Sequence, residues 1–167
     1  MRESPVSVSP VPTEQQPLNE YEQLKEAWFF NWATLTPFQY VRKLAWVWFW
    51  GWLLAAPIVA ASFSPRQYPW QFGLWTTGGA LFLVTLMVIR LYLGWSYIRD
   101  RLTKETVFYE ESGWYDGQKW RKPPEVLTRD RLVASYQVEP ILNRIQLTLA
   151  ILAALAGLCS FICFFFT

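Results

Sequence analysis

Three long apolar runs, separated by short polar stretches, dominate the pattern of this chain. The first, residues 44–63, carries no charge across 20 positions. As a helix it would measure about 30 Å, the thickness of a bilayer's hydrocarbon core. Pro57 lies inside it and should kink it or free a backbone carbonyl. The second, residues 75–98, is interrupted only by Arg90, and the third is residues 145–166. Ahead of the first run, Tyr21, Leu24, Trp28, Trp32 and Leu35 recur at helical spacing. Asn19, with Glu22 three residues on, marks a helix start. The spacing predicts an amphipathic helix over 19–41 lying in the headgroup zone, where Trp and Tyr are at home. The alternative is an extended segment packed on the bundle. Residues 1–18, rich in Pro, Ser, Gln and Glu, have too little apolar surface to offset ordering and are expected to be disordered.

The polar insert 99–144 separates the second and third runs. Its Thr106–Glu111 stretch is β-prone, and Asp116-Gly117 is a two-residue hairpin signal. Centred on that turn, Trp114 would face Lys119, Gly113 would face Trp120, and Glu111 would face Lys122 as a cross-strand charge match. Pro123-Pro124 ends the ribbon, and the residues from 125 onward read as a short helix or an extended leader into the third span. A lone two-stranded ribbon is marginal, so it should lean on the membrane, the N-terminal segment or a partner. The fold class is therefore a mainly α membrane protein with three transmembrane helices. Two lie within 42–98 and the third within 145–167. An N-terminal interfacial helix precedes them, and a small cytoplasmic-side β-hairpin insert joins the second and third.

Composition strengthens the membrane reading. Hydrophobic residues make up 53% of the chain and charged residues 17%, where a soluble domain would carry about a quarter charged. Four basic residues precede the first span and nine lie in the insert, against Arg66 alone in the 64–74 connection. The N-terminus and insert are thus expected on the cytoplasmic or stromal side and the C-terminus opposite. The eight acids of the insert offset its bases, so it is not a polybasic lipid tether, and a net charge of +2 gives no case for nucleic acid. The first 18 residues lack a signal peptide's apolar stretch, and their acids argue against a transit peptide. The chain is expected to begin as a mature protein made in the compartment of its membrane.

Chemistry has few candidates. Histidine is absent, which removes the commonest proton shuttle and metal or porphyrin ligand. Cys159 and Cys163 share a helix face, but two thiols make a poor metal site without further ligands, so no metal is expected. Glu110, Glu111, Asp116 and Asp130 lie among Lys and Arg and read as solvated pairs rather than catalytic groups, and no catalytic motif is present. Gly78-Gly79, Ala150/Ala154 and Ala153/Gly157 read as helix-packing surfaces. The Trp-rich first span leaves room for chlorophyll, carotenoid or lipid at its periphery, with no cofactor required. Arg90, inside a span, is a functional candidate by default; its bland reading is snorkelling toward the interface near Asn143 or Gln146. The candidate partner-binding residues are Trp114, Tyr115, Trp120, Arg121 and Arg90.

The N-terminal VPTEQQPLNEYEQLKEAWFFNW, the central YEESGWYDGQKW and the downstream LTRDRLVASYQVEPIL resemble a small membrane-protein family of unknown function. That family occurs in cyanobacteria, as a reading frame in some algal plastid genomes, and as a nuclear-encoded plastid protein in plants and green algae. The resemblance covers roughly residues 11–165. It implies a thylakoid or cytoplasmic membrane protein of oxygenic phototrophs, with a role in building, repairing or protecting the photosynthetic apparatus, and it carries no reaction. Lacking a transit peptide, the chain fits a cyanobacterial member. The expected function is non-catalytic: binding photosynthetic complexes or their assembly intermediates, with membrane lipids as the other partner. The alternative is an oligomeric transporter or an iron-homeostasis component with Arg90 along the path.

Overall fold

The computed structural model describes residues 10–110 and 117–166. Its helices are α1 (Pro17–Glu26), α2 (Pro37–Ala60), α3 (Pro69–Thr103), α4 (Pro124–Val133) and α5 (Glu139–Phe166). The strands β1 (Thr106–Tyr109) and β2 (Gln118–Arg121) form one antiparallel ribbon between α3 and α4. Three helical segments are long and apolar enough to cross a membrane: α2, α3, and the rod running from Pro124 to Phe165. All three begin earlier than the apolar runs suggest. Pro37, Pro69 and Pro124 each stand at a helix start, where a missing N–H costs nothing and the fixed φ suits the first turn.

Helix α3 is the central post. Its buried positions Ala80, Leu81, Val84, Val88, Leu91, Trp95, Ile98 and Leu102 recur every three or four residues, a seam facing its neighbours. On one side it takes α2 at backbone distance. A Cβ on Gly51 would lie 3.3 Å from Ala80 Cα, and one on Gly79 would lie 3.1 Å from Ala55 Cβ. In lipid, helices gain little by hiding apolar groups from one another, so close backbone approach carries the packing. Gly51→Leu should therefore push α2 off α3 and cost about 1–3 kcal/mol. Urea unfolding of the purified protein in detergent would measure this, and an unchanged midpoint would mean that the α2–α3 contact is loose. On the other side, α5 packs through Leu142, Ile145 and Leu152. Outside this seam, large side chains such as Trp50, Leu54, Phe82, Leu86, Ile151 and Phe161 are exposed, an apolar mantle suited to acyl chains.

The third rod is not a uniform helix. Ala134–Val138 widens into a π turn, with Glu139 N–H donating to the carbonyl of Ala134. The cause is Pro140, which has no N–H and whose ring crowds the carbonyl four residues back. The effect is geometric. Asp130, Ala134, Val138 and Leu142 are all buried at steps of four. Four residues overshoot one α turn by about 40°, and the wider turn absorbs that drift.

The N-terminal helix is present, but it ends at Glu26 rather than running to 41. The aromatic stretch after it forms a short 3-10 turn, Phe30–Thr34, held by tertiary bonds. Trp95 Nε1 donates to the Phe30 carbonyl at 3.2 Å, and Arg144 donates to the carbonyls of Leu35 at 2.6 Å and Ala33 at 3.3 Å. These bonds hold the segment against α3 and α5 in the tighter turn, so the helix does not continue to 41. Asn19 does not cap; the helix starts at Pro17, and Asn19 Nδ2 donates to Thr13 O at 2.7 Å. Order also begins earlier than residue 19: Val11 is buried, and Thr13–Gln15 forms a turn.

Candidate functional site

At the end of the bundle shared by the N-terminal segment and the insert, α3 runs on as an anchoring post. At 35 residues it is about 52 Å long, about 20 Å more than a hydrocarbon core needs. Arg101, on this overhang, joins three separate parts of the chain. Its guanidinium donates to both carboxylate oxygens of Glu20, at 2.6 and 3.0 Å, and to the carbonyls of Gln15 at 2.8 Å and Phe108 at 2.9 Å. Burial raises the Glu20 carboxyl above its ordinary value, and Arg101 opposes that shift. Gln15 completes the attachment by pairing with the backbone of Glu110. Its Nε2 donates to the Glu110 carbonyl at 3.0 Å, and its Oε1 accepts from the Glu110 N–H at 2.9 Å. The ribbon thus leans on the N-terminal segment, one of the supports expected for it.

A second fastening lies beneath the ribbon. Lys122 Nζ donates to the last carbonyls of α3, Arg101 at 2.9 Å and Leu102 at 3.0 Å, and to Asp130 Oδ2 at 2.7 Å. The two side chains are 0% and 1% exposed. Burial pushes the Lys122 ammonium below the ordinary lysine range, while Asp130 pulls it back. Asp130 Oδ1 has no hydrogen-bond partner among the described residues, and Arg129 lies 3.6 Å from it. Asp130 is therefore structural rather than a solvated surface acid. Neither residue was legible as a pair, because Pro123-Pro124 and a change of element separate them.

The ribbon register departs from expectation. Thr106 pairs with Arg121, Val107 with Trp120, Phe108 with Lys119, and Tyr109 with Gln118. Lys119 thus faces Phe108 rather than Trp114, and Trp120 faces Val107 rather than Gly113. Lys122 donates its N–H to the Glu105 carbonyl at 2.9 Å instead of facing Glu111. Buried Lys122, Val107 and Tyr109 set this register by fixing which face points inward. The connection between strands is consequently longer than two residues. Glu111, Trp114, Tyr115 and Asp116 lie outside the described residues.

Pleating then sorts the candidate residues. Trp120 is half-buried on the inner face with Val107 and Tyr109. The outer face shows Phe108, with Lys119 Nζ 5.2 Å from its ring centre, and Arg121, whose side chain is 81% exposed. Arg121 and Arg131 flank Glu105 at 3.6 and 3.9 Å, and Arg129 and Arg131 are more than half exposed. The result is a basic, partly aromatic surface fixed to α3. Phe108 and Lys119 were missed as candidates because the assumed register hid which strand residues face outward.

Arg90 is not part of this surface. It is exposed on α3, with its guanidinium carbon 5.2 Å from the Phe30 ring centre, and has no ion-pair partner among the described residues. A Cβ on Gly94, one turn further on, would collide with the Phe30 ring, so the glycine is what lets that ring lie against α3. Cys159 and Cys163 are half-buried in α5, and no cluster of three or more metal-ligating side chains occurs among the described residues.

Residues 9–151 match the family described as CGLD27-like, "Conserved in the green lineage and diatoms 27". The protein of that description from Arabidopsis thaliana, designated chloroplastic, is 49% identical over 146 residues, covering 87% of this chain and 45% of that protein. The chain therefore spans less than half the length of the Arabidopsis relative. The ycf36 protein of Porphyra purpurea is 43% identical over 157 residues, covering 94% of this chain and 95% of the relative. That of Cyanophora paradoxa is 45% identical over 148 residues, covering 89% and 93%. No solved structure matches.

Proposed function

The chain belongs to the CGLD27-like family, and from that premise we propose that it is a non-catalytic membrane protein that docks on photosynthetic membrane complexes. It acts there as an assembly or protection factor, or as an accessory subunit. One observation carries this reading: the basic outer face of the ribbon is fixed to the transmembrane post by Arg101 and Lys122, rather than hanging on a free loop. A pre-organised face loses little freedom when it meets a partner. The apolar mantle supports a membrane location, and the excess of Lys and Arg supports an N-terminus and insert on the stromal or cytoplasmic side of a thylakoid or cytoplasmic membrane. Phe108, Lys119 and Arg121 make the first contact, with Trp120 supporting them from behind and Trp114 and Tyr115 in the connecting segment. The matching partner surface is acidic with an apolar recess.

Reversing Lys119 and Arg121 together to Glu tests this reading. A tagged copy of the natural chain should bring photosynthetic complex subunits out of mildly solubilised membranes at fixed stoichiometry. The double variant should insert and fold normally but lose at least about tenfold of that yield, since opposed rim charges weaken association strongly. Undiminished co-purification of the variant would overturn the ribbon's role. A colourless homo-oligomer from the natural chain would overturn the docking function itself.

A further inference from the structure

A groove of about 750 Å³ runs down the outside of the α2–α3 pair, within the size range of ligand pockets. Its walls are Trp46, Trp50 and Leu54 from α2 and Leu83, Leu86 and Met87 from α3. Its upper mouth is made by Arg42, Lys43 and Trp32. Polarity therefore changes once along the groove, from cationic at the insert end to wholly apolar below.

The length of the groove fits half a membrane. Arg42 to Leu54 is twelve residues along α2, a drop of about 18 Å, against about 15 Å for one leaflet's share of the hydrocarbon core. An amphiphile with its head at one interface and its tail ending near the midplane matches that length. A rod-like molecule crossing the whole core would overrun it.

The charge at the mouth is uncompensated. Residues 27–99 contain no Asp or Glu at all. Neither Arg42 nor Lys43 has an ion-pair partner among the described residues, and Lys43 Nζ is held 5.9 Å from the Trp32 ring centre. Arg90 adds a third positive charge at the same depth. Gly51 abuts Ala80 and approaches Leu83, so in this antiparallel pair two turns up α2 to Lys43 correspond to two turns along α3 to about Arg90. Aromatic rings of the same short turn, Phe30 and Trp32, neighbour Arg90 and Lys43 respectively. Cations facing lipid at headgroup depth attract anionic headgroups.

We propose that this groove is a binding site for one anionic glycerolipid of the insert-side leaflet, its phosphate or sulfonate on Arg42 and Lys43 and an acyl chain along Trp46, Trp50 and Leu54. The site stands independently of the docking surface, because the two share no residue.

The test is native mass spectrometry of the full chain in detergent, titrated with phosphatidylglycerol, phosphatidylcholine or inorganic phosphate, alongside the double variant Arg42→Gln/Lys43→Gln. Both substitutions leave the groove walls intact, and Arg66→Gln in the far-side connection is the control. Phosphatidylglycerol should be retained in preference to phosphatidylcholine. The double variant should weaken it about twenty-fivefold, at about fivefold per basic side chain near the surface, while the control should not. Equal retention of the two lipids would overturn the proposal, as would indifference to the double variant. Stabilisation by phosphate alone equal to that by the lipid would overturn it too, as would a carotenoid or a second copy of the chain occupying the groove in purified protein.

Discussion

Asp130→Ala should cost the insert end of the protein about 3–5 kcal/mol, because it strands the Lys122 ammonium in a site closed to water. The two carbonyls that remain, those of Arg101 and Leu102, satisfy donors but carry no countercharge. Hydrogen exchange across residues 104–123 in detergent would read this as early opening of the ribbon, with the spans protected as before. The double replacement Lys122→Met/Asp130→Leu should recover most of the loss, since removing both charges removes the cost of burying them. A change below about 1 kcal/mol for Asp130→Ala would mean that water reaches the pair. Asp130→Asn adds a pH signature. Burial already holds Lys122 below the ordinary lysine value of 10.5, and loss of the carboxylate lowers it further. Between that lowered value and 10.5 the unfolded chain binds more protons than the folded one, so stability rises with pH. The deficit of Asp130→Asn relative to the natural protein should therefore shrink as pH rises through that window.

Trp95→Ala should be comparably severe, about 3–5 kcal/mol, and should act on a different part of the chain. Trp95 is fully buried, meets Tyr21 edge-on at 6.2 Å, and donates its indole N–H to the Phe30 carbonyl at 3.2 Å. Tyr21 in turn donates to Gln137 Oε1 at 2.7 Å, tying α1 to the π turn. Truncation should leave a cavity where α1, α3 and α5 converge and expose residues 10–36 to limited proteolysis. Trp95→Phe keeps an aromatic ring beside Tyr21 and removes only the indole donor to that carbonyl, so a smaller loss of about 0.5–1.5 kcal/mol is expected. If Trp95→Ala were cleaved no faster than the natural chain, the N-terminal segment would have to be held by its other ties, those to Arg101, Arg144, Gln137 and Glu110.

These two sites show why some of the molecule was readable from sequence and some was not. The spans were, because an uninterrupted apolar run has few alternatives, and Pro at each helix start explains why the helices begin before the runs do. The small-residue contact was partly readable: Gly79 is a true α2–α3 contact, but nothing local marked Gly51 as its counterpart. The ribbon was predicted, but its register followed a turn rule that considers only the nearest residues. Its true register follows the burial of Lys122, Val107 and Tyr109, while Gln15, some 95 positions away, fixes the end of β1. Arg90 was conspicuous in sequence, yet a search for a carboxylate partner could not have found the Phe30 ring. Arg101 looked like one of many bases in an insert of balanced charge; only its placement on the overhang of α3 distinguishes it.

The π turn at Ala134–Val138 also decides which side of α4 faces the ribbon. Below it the rod is anchored by Leu142 and Ile145 against α3, and above it by Asp130 against Lys122. A single residue removed there would swing the two halves about 100° relative to each other. The face that α4 turns toward Lys122 is thus set by one residue of slack beside Pro140, like the clocking of a key on its shaft.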